Sequence, residues 1–145
     1  MDKYQIPFII VGVLLAGGWG ISYYFYQVYK KRISENVKWM PGILRMATCN
    51  CDDIAATPFG RMFGRSNAFW GQWYYGIVII MILIQLLSKL YLINILLLLF
   101  TLAVFQTLYL LWGLYTLKVV CRPCLGIHTI NILSFILLLA SKYIL

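Results

Sequence analysis

LYLINILLLLFTLAVFQTLYLLWGLYTLKVVCRPC, residues 90–124, decides the fold: 28 residues without a formal charge precede Lys118, and two cysteines follow three positions apart. As a helix rising ~1.5 Å per residue, the uncharged run is longer than the ~30 Å hydrocarbon core of a bilayer. It is continuous and rich in Leu, without the alternation at ~10-residue spacing that marks a membrane β-strand. The same count over the rest of the chain finds three more runs, Tyr4 to Tyr29 (26 residues), Ser66 to Ser88 (23) and Pro123 to Ser141 (19). Hydrophobic residues make up 63% of the chain and charged residues 11%, where soluble domains carry about 25% charge. A mean hydropathy of +0.86 points the same way.

The predicted fold is all-α: a single integral membrane domain, residues 1–145, built as a four-helix bundle. The approximate spans are 6–29, 67–88, 90–115 and 123–141. The first run is too long for the apolar core of a signal peptide and lacks a clear small-residue cleavage site, so it reads as a retained anchor. Gly17, Gly18 and Gly20 in this span allow a neighbouring helix to approach closely. Only Lys89 separates the second and third runs, which makes them a tight hairpin. The polar segment 30–66 joins the first two spans. It holds Pro41, Gly42, Pro58, Gly60 and Gly64, which break regular structure and suit a loop packed over the bundle mouth. Within TPFGRMFGRSNAFWG, residues 57–71, aromatic residues mix with Arg61 and Arg65, and the reading is a short interfacial helix.

An even number of spans puts both termini on one side and the loop with the Cys121/Cys124 connector on the other. All four cysteines therefore share one membrane face: Cys49 and Cys51 in the loop, Cys121 and Cys124 where the last span begins. A single membrane cysteine is ordinarily an inert buried thiol. Two close pairs on one face leave two chemistries, a four-thiolate metal site or dithiol–disulfide exchange. Zinc knuckles favour two to four residues between their cysteines, so the single Asn50 between Cys49 and Cys51 fits metal poorly and no metal ligands are assigned. Exchange requires a stabilised thiolate. The first turn of the last helix supplies unpaired N–H groups around Cys124, Arg122 adds a full positive charge, and Pro123 is tolerated there because its missing N–H has no partner to lose.

CDDIAATPFGRMFG, then SNAFWG, then CRPCLGIHTIN, taken in order from about residue 49 onward, resemble the vitamin K epoxide reductase family. In type the chain resembles the prokaryotic members that form disulfides. The resemblance implies a four-helix membrane oxidoreductase with a quinone in the bundle, of the menaquinone, ubiquinone or phylloquinone type, and a thioredoxin-like thiol partner. Electrons then pass from the partner to Cys51 and Cys49, to Cys121, to Cys124 and on to the quinone. By the same resemblance, Asn67 hydrogen-bonds a quinone oxygen and Thr57 lies near the active site. The tryptophans and tyrosines read chiefly as interfacial-belt and packing residues, with Trp70 or Tyr74 the candidates to line a quinone pocket. Reduction of a quinone or its epoxide for its own sake, and thiol-based metal binding, are the alternative functions.

Two features depart from the family pattern. The loop cysteines usually lie several residues apart, and a disulfide across Asn50 would close a small, strained and therefore oxidising ring. His128, one turn after Cys124, stands where vertebrate members have a tyrosine. As the only histidine, inside an apolar span, it is either satisfied by a carbonyl or by Asn131, or it serves the quinone.

The +8 net charge borders membrane spans without a nucleic-acid-binding module, so the lipid bilayer is the expected partner and nucleic acid is not. The expected location is a plasma membrane crossed several times. Nine of the twelve Lys and Arg lie on the cysteine face, which places that face in the cytoplasm by the positive-inside rule. Disulfide chemistry, and the resemblance, place it outside. The outward orientation is the one adopted.

Overall fold

The computed structural model describes residues 5–34, 36–45, 61–88, 90–118 and 120–144. Four long helices carry the fold: α1 Gln5–Tyr29, α2 Asn67–Ser88, α3 Ile93–Leu117 and α4 Arg122–Tyr143. Each is long and apolar enough to cross a membrane, and the protein is an all-α integral membrane bundle. Exposed Ile, Leu and Val along all four helices, such as Val13, Ile80, Leu98 and Ile136, face outward, as lipid-facing positions must.

The helices pack in the spatial order α3, α4, α1, α2. Helix α1 lies against α2 and α4, and α3 lies against α4, whereas α2 and α3, neighbours in sequence, make little direct contact. Two glycines set the α1–α2 distance. A Cβ on Gly18 would stand 2.9 Å from the Tyr75 ring, and one on Gly71 would stand 2.9 Å from Ser22 Oγ. Gly17 and Gly20 face open space instead, so of Gly17, Gly18 and Gly20 only Gly18 serves helix approach in the way its sequence suggests.

Helix α3 begins three residues after the uncharged run does. Leu90–Leu92 form a tight connection in which the Gln85 side chain accepts the Leu92 N–H at 2.6 Å, joining α2 to α3 at the end remote from the cysteines. At its other end α3 stops at Lys118, held in a left-handed conformation (φ 54°), and the chain turns through extended Cys121 into α4. Leu125 N–H closes the first turn on Cys121 O at 3.0 Å.

Two described parts of the 30–66 loop are folded onto the cysteine end. Residues 36–45 carry a 3-10 turn, Gly42–Leu44, with Met40 buried in one cluster with Tyr24 and Cys121. Residues 61–66 form a β-hairpin, β1 Arg61–Met62 paired with β2 Arg65–Ser66, and not the interfacial helix read from their aromatic and basic mixture. Phe63 and Gly64 both have positive φ (51° and 78°), the two-residue turn whose twist matches paired strands. Three contacts anchor this hairpin. Arg61 donates to Tyr29 Oη at 2.8 Å, Trp70 Nε1–H donates to Met62 O at 2.7 Å, and Arg65 lies over the Phe69 ring. Ser66 Oγ then accepts the Phe69 N–H at 3.3 Å and starts α2.

Candidate active site

Cys121 and Cys124 are joined as a disulfide, with their Cα atoms 5.2 Å apart. Their surroundings differ. Cys121 is fully buried among Tyr24, Met40, Leu114 and their neighbours, and its outer side borders a shallow hollow with Lys118 and Tyr115. Cys124, in the first turn of α4, lines a cavity of ≈ 300 Å³ inside the bundle. Cys121 is not among the residues that line this cavity.

The cavity fills the space left between α2 and α3, with α1 and α4 closing its back. Its walls are mostly apolar, with Phe25, Trp70, Leu99, Leu102 and Ile127 among them. Asn67 and His128 line it as well, so Asn67, distant in sequence, comes to one chamber with Cys124 and His128 of α4. Trp70 offers its ring, since its indole N–H is taken by Met62. Thr57, Cys49 and Cys51 lie outside the described residues.

Four polar atoms facing this region have no hydrogen-bond partner among the described residues: His128 Nδ1 and Nε2, Tyr74 Oη and Ser22 Oγ. Each belongs to a residue that lines the cavity. Leaving one buried polar group unpaired costs about 1–3 kcal/mol, so several in one apolar chamber suit a ligand that brings polar atoms of its own. His128 is not satisfied by Asn131: neither ring nitrogen bonds that amide, which accepts from Tyr75 Oη–H at 2.6 Å and donates through Nδ2 to Thr107 Oγ1 at 3.3 Å. Ser22 was not legible as a site residue, being one serine in an apolar helix. The signal that finds it is Gly71, directly opposite in space.

A quinone fits this chamber. Its flat ring and hydrocarbon tail match the aromatic and leucine walls, and its two oxygens match the unpaired donors of His128, Tyr74 and Ser22. A disulfide at the mouth of a membrane bundle, with one sulfur opening onto such a chamber, defines the class of membrane oxidoreductases that work between thiols and quinones. The chain belongs to the vitamin K epoxide reductase family, whose model matches residues 9–139, most of its length. Comparison with curated proteins gave no match, and comparison with solved structures gave none.

Proposed function

We propose that this protein oxidises a thioredoxin-like dithiol partner and passes the two electrons to a quinone, so that its physiological product is a disulfide in the partner. The observation that carries the reading is the unequal placement of the two sulfurs. Cys124 borders the apolar chamber and Cys121 does not. Cys121 is then the sulfur that exchanges with Cys51 of the loop, with Cys49 the partner of Cys51, and Cys124 is the sulfur that faces the acceptor.

In the reduced state the Cys121 and Cys124 thiols carry two protons and the electron pair. Closing the S–S bond releases both. A bound quinone supplies a two-electron, two-proton acceptor. The first turn of α4 stabilises the Cys124 thiolate through its free N–H groups and the adjacent Arg122. His128, one turn further along the same helix, holds a proton at a ring nitrogen within the chamber. Asn67 and Tyr74 orient the ring through its oxygens, and Trp70 packs against its face. Walls of leucine and phenylalanine exclude water from the transfer.

We place the cysteine face outside the cytoplasm, because stable disulfides are made outside the reducing cytosol. The basic residues Lys30, Lys31 and Arg32 directly behind α1 oppose this arrangement. Labelling of Cys49 or Cys51 in intact, mildly reduced cells by a membrane-impermeant maleimide is the expected result. Labelling only after permeabilisation would turn the protein around and move its substrate into the cytoplasm.

The direct test of function is quinone reduction by the purified protein, followed optically, with a reduced thioredoxin-like protein as donor. Turnover that yields oxidised donor and reduced quinone in equal amounts is expected. Quinone reduction with a small dithiol but none with any thioredoxin-like donor would shift the primary role towards the quinone itself.

A further inference from the structure

We propose that Asn131 is a positioning residue: it ties α2, α3 and α4 together across the gap in the bundle and thereby sets the width of the chamber that receives the quinone. This rests on the quinone reading of the chamber.

Helix α3 is attached to the bundle chiefly through α4, since α2 and α3 do not pack closely on one another. Something must still fix the distance between them, or the chamber has no defined width. At the remote end the Gln85–Leu92 hydrogen bond does so. At chamber level the rings of Tyr74 of α2 and Phe100 of α3 meet edge to face (6.0 Å), and the polar link is a chain of two hydrogen bonds, Tyr75 of α2 to Asn131 of α4 (2.6 Å) and Asn131 to Thr107 of α3 (3.3 Å). All three residues line the chamber and all three are buried, with Tyr75 and Thr107 at 1% exposure and Asn131 at 8%.

An amide does this job with one side chain. It presents an acceptor and a donor on the same rigid plane, so a hydroxyl on either side is held at a fixed spacing. Serine at 131 would be too short to reach both, and a hydrocarbon would strand both hydroxyls. Tyr75 cannot drift to compensate, because Gly18 packs directly against its ring, where even a methyl group would collide. The anchor on α2 is therefore firm, and the chain transmits its position through Asn131 to α3. His128 lies one turn before Asn131 on α4, so the same tie also fixes how deep its imidazole reaches relative to α2 and α3.

Both of the known bonds of Asn131 are to protein. It acts on the quinone through the walls, unlike His128, Tyr74 and Asn67. The expected signature is a loss of quinone affinity without loss of thiol chemistry. The experiment measures quinone binding by quenching of intrinsic tryptophan fluorescence, alongside kcat and KM, for the intact protein and for Asn131→Leu, Tyr75→Phe and the double variant. Tyr75→Phe keeps the ring against Gly18 and so guards against a folding defect in Asn131→Leu.

Asn131→Leu is expected to weaken quinone binding roughly tenfold, by breaking both bonds and stranding two buried hydroxyls. Its kcat at saturating quinone should stay within about twofold, since no reacting atom is touched. Tyr75→Phe should give a smaller loss, and the double variant should be no worse than Asn131→Leu, because both changes cut the same link. Additive losses, a fall in kcat with unchanged affinity, or wild-type affinity in Asn131→Leu would each overturn the assignment. Absence of quinone binding by the unaltered protein would instead remove the quinone reading on which it rests.

Discussion

The two halves of the bundle are built on opposite rules. In the half remote from the cysteines, Val11, Leu15, Val78, Leu96, Phe100 and Leu138 are sealed at 0% exposure in a single apolar cluster. In the half near the cysteines the bundle opens around a chamber, and the polar atoms of Ser22, Tyr74 and His128 stand in it without partners. The first half gains its stability from close packing, as membrane helices must when lipid offers no hydrophobic drive between them. The second half gives up some packing and some hydrogen bonds to hold a ligand. The Tyr75–Asn131–Thr107 chain crosses the bundle within the chamber's lining.

Loss of either sulfur makes the sharpest break in that comparison. Cys121→Ser or Cys124→Ser keeps the size of the side chain but prevents the disulfide from closing, and quinone reduction by a dithiol donor should fall to the uncatalysed background. Full turnover in either variant, measured optically under excess quinone, would remove the pair from the reaction.

Truncation in the sealed half should have the converse effect. Leu138→Ala or Phe100→Ala leaves a void among residues at 0% exposure and is expected to cost about 2–5 kcal/mol of stability. Turnover per folded molecule should be unchanged. Denaturation in detergent read beside specific activity checks this, and lost activity without lost stability would carry the reaction into the remote half.

Substitutions of the chamber donors should be milder. Asn67→Ala, His128→Phe and Tyr74→Phe each remove about one neutral hydrogen bond, about 0.5–1.5 kcal/mol, or roughly a two- to tenfold rise in quinone KM. Exchange between a dithiol and the Cys121–Cys124 disulfide should be untouched. An unchanged quinone response in all three would leave the chamber without its ligand.

The smallest expected effect is of the membrane potential. The polar line on α4, His128, Asn131 and Ser134, meets Leu138 before Ser141, and seven residues of helix from Ser134 to Ser141 span ~10 Å, too far for a direct hydrogen bond. Protons released by the dithiol and those taken up with the electrons are therefore expected to exchange on the cysteine side. Turnover in proteoliposomes should be indifferent to an imposed potential of either sign. A rate that follows the potential would open the sealed half.

Much of this division was readable from the chain. Uncharged runs are a direct record of what a bilayer accepts, so the number of helices and the all-α class followed from counting. Cys124 at the start of a span was visible because Arg-Pro-Cys is helix-start chemistry, and His128 stood out as an ionisable group in an apolar helix. The hairpin at 61–66 was hidden, since Phe63 occupies a left-handed turn position that more often holds Asn or Gly. The Tyr75–Asn131–Thr107 chain was hidden for a different reason. Its members lie on three helices, and nothing in their local sequence says that α2 and α3 stand apart, which is what gives the chain its purpose. The unequal environments of Cys121 and Cys124 likewise depend on where α3 lies, and spacing alone does not report it.

The central claim is that the two sulfurs of one disulfide serve different substrates, and trapping tests it most directly. Cys124→Ala removes the thiol that would resolve an exchange intermediate, and Cys121→Ala removes the sulfur assigned to the loop. Each variant is oxidised briefly, alkylated and mapped by mass spectrometry. The account predicts a Cys51–Cys121 bond accumulating in Cys124→Ala and no Cys51–Cys124 bond in Cys121→Ala. A Cys51–Cys124 bond forming as readily as the other would mean that the two sulfurs are interchangeable and that the chamber does not separate them.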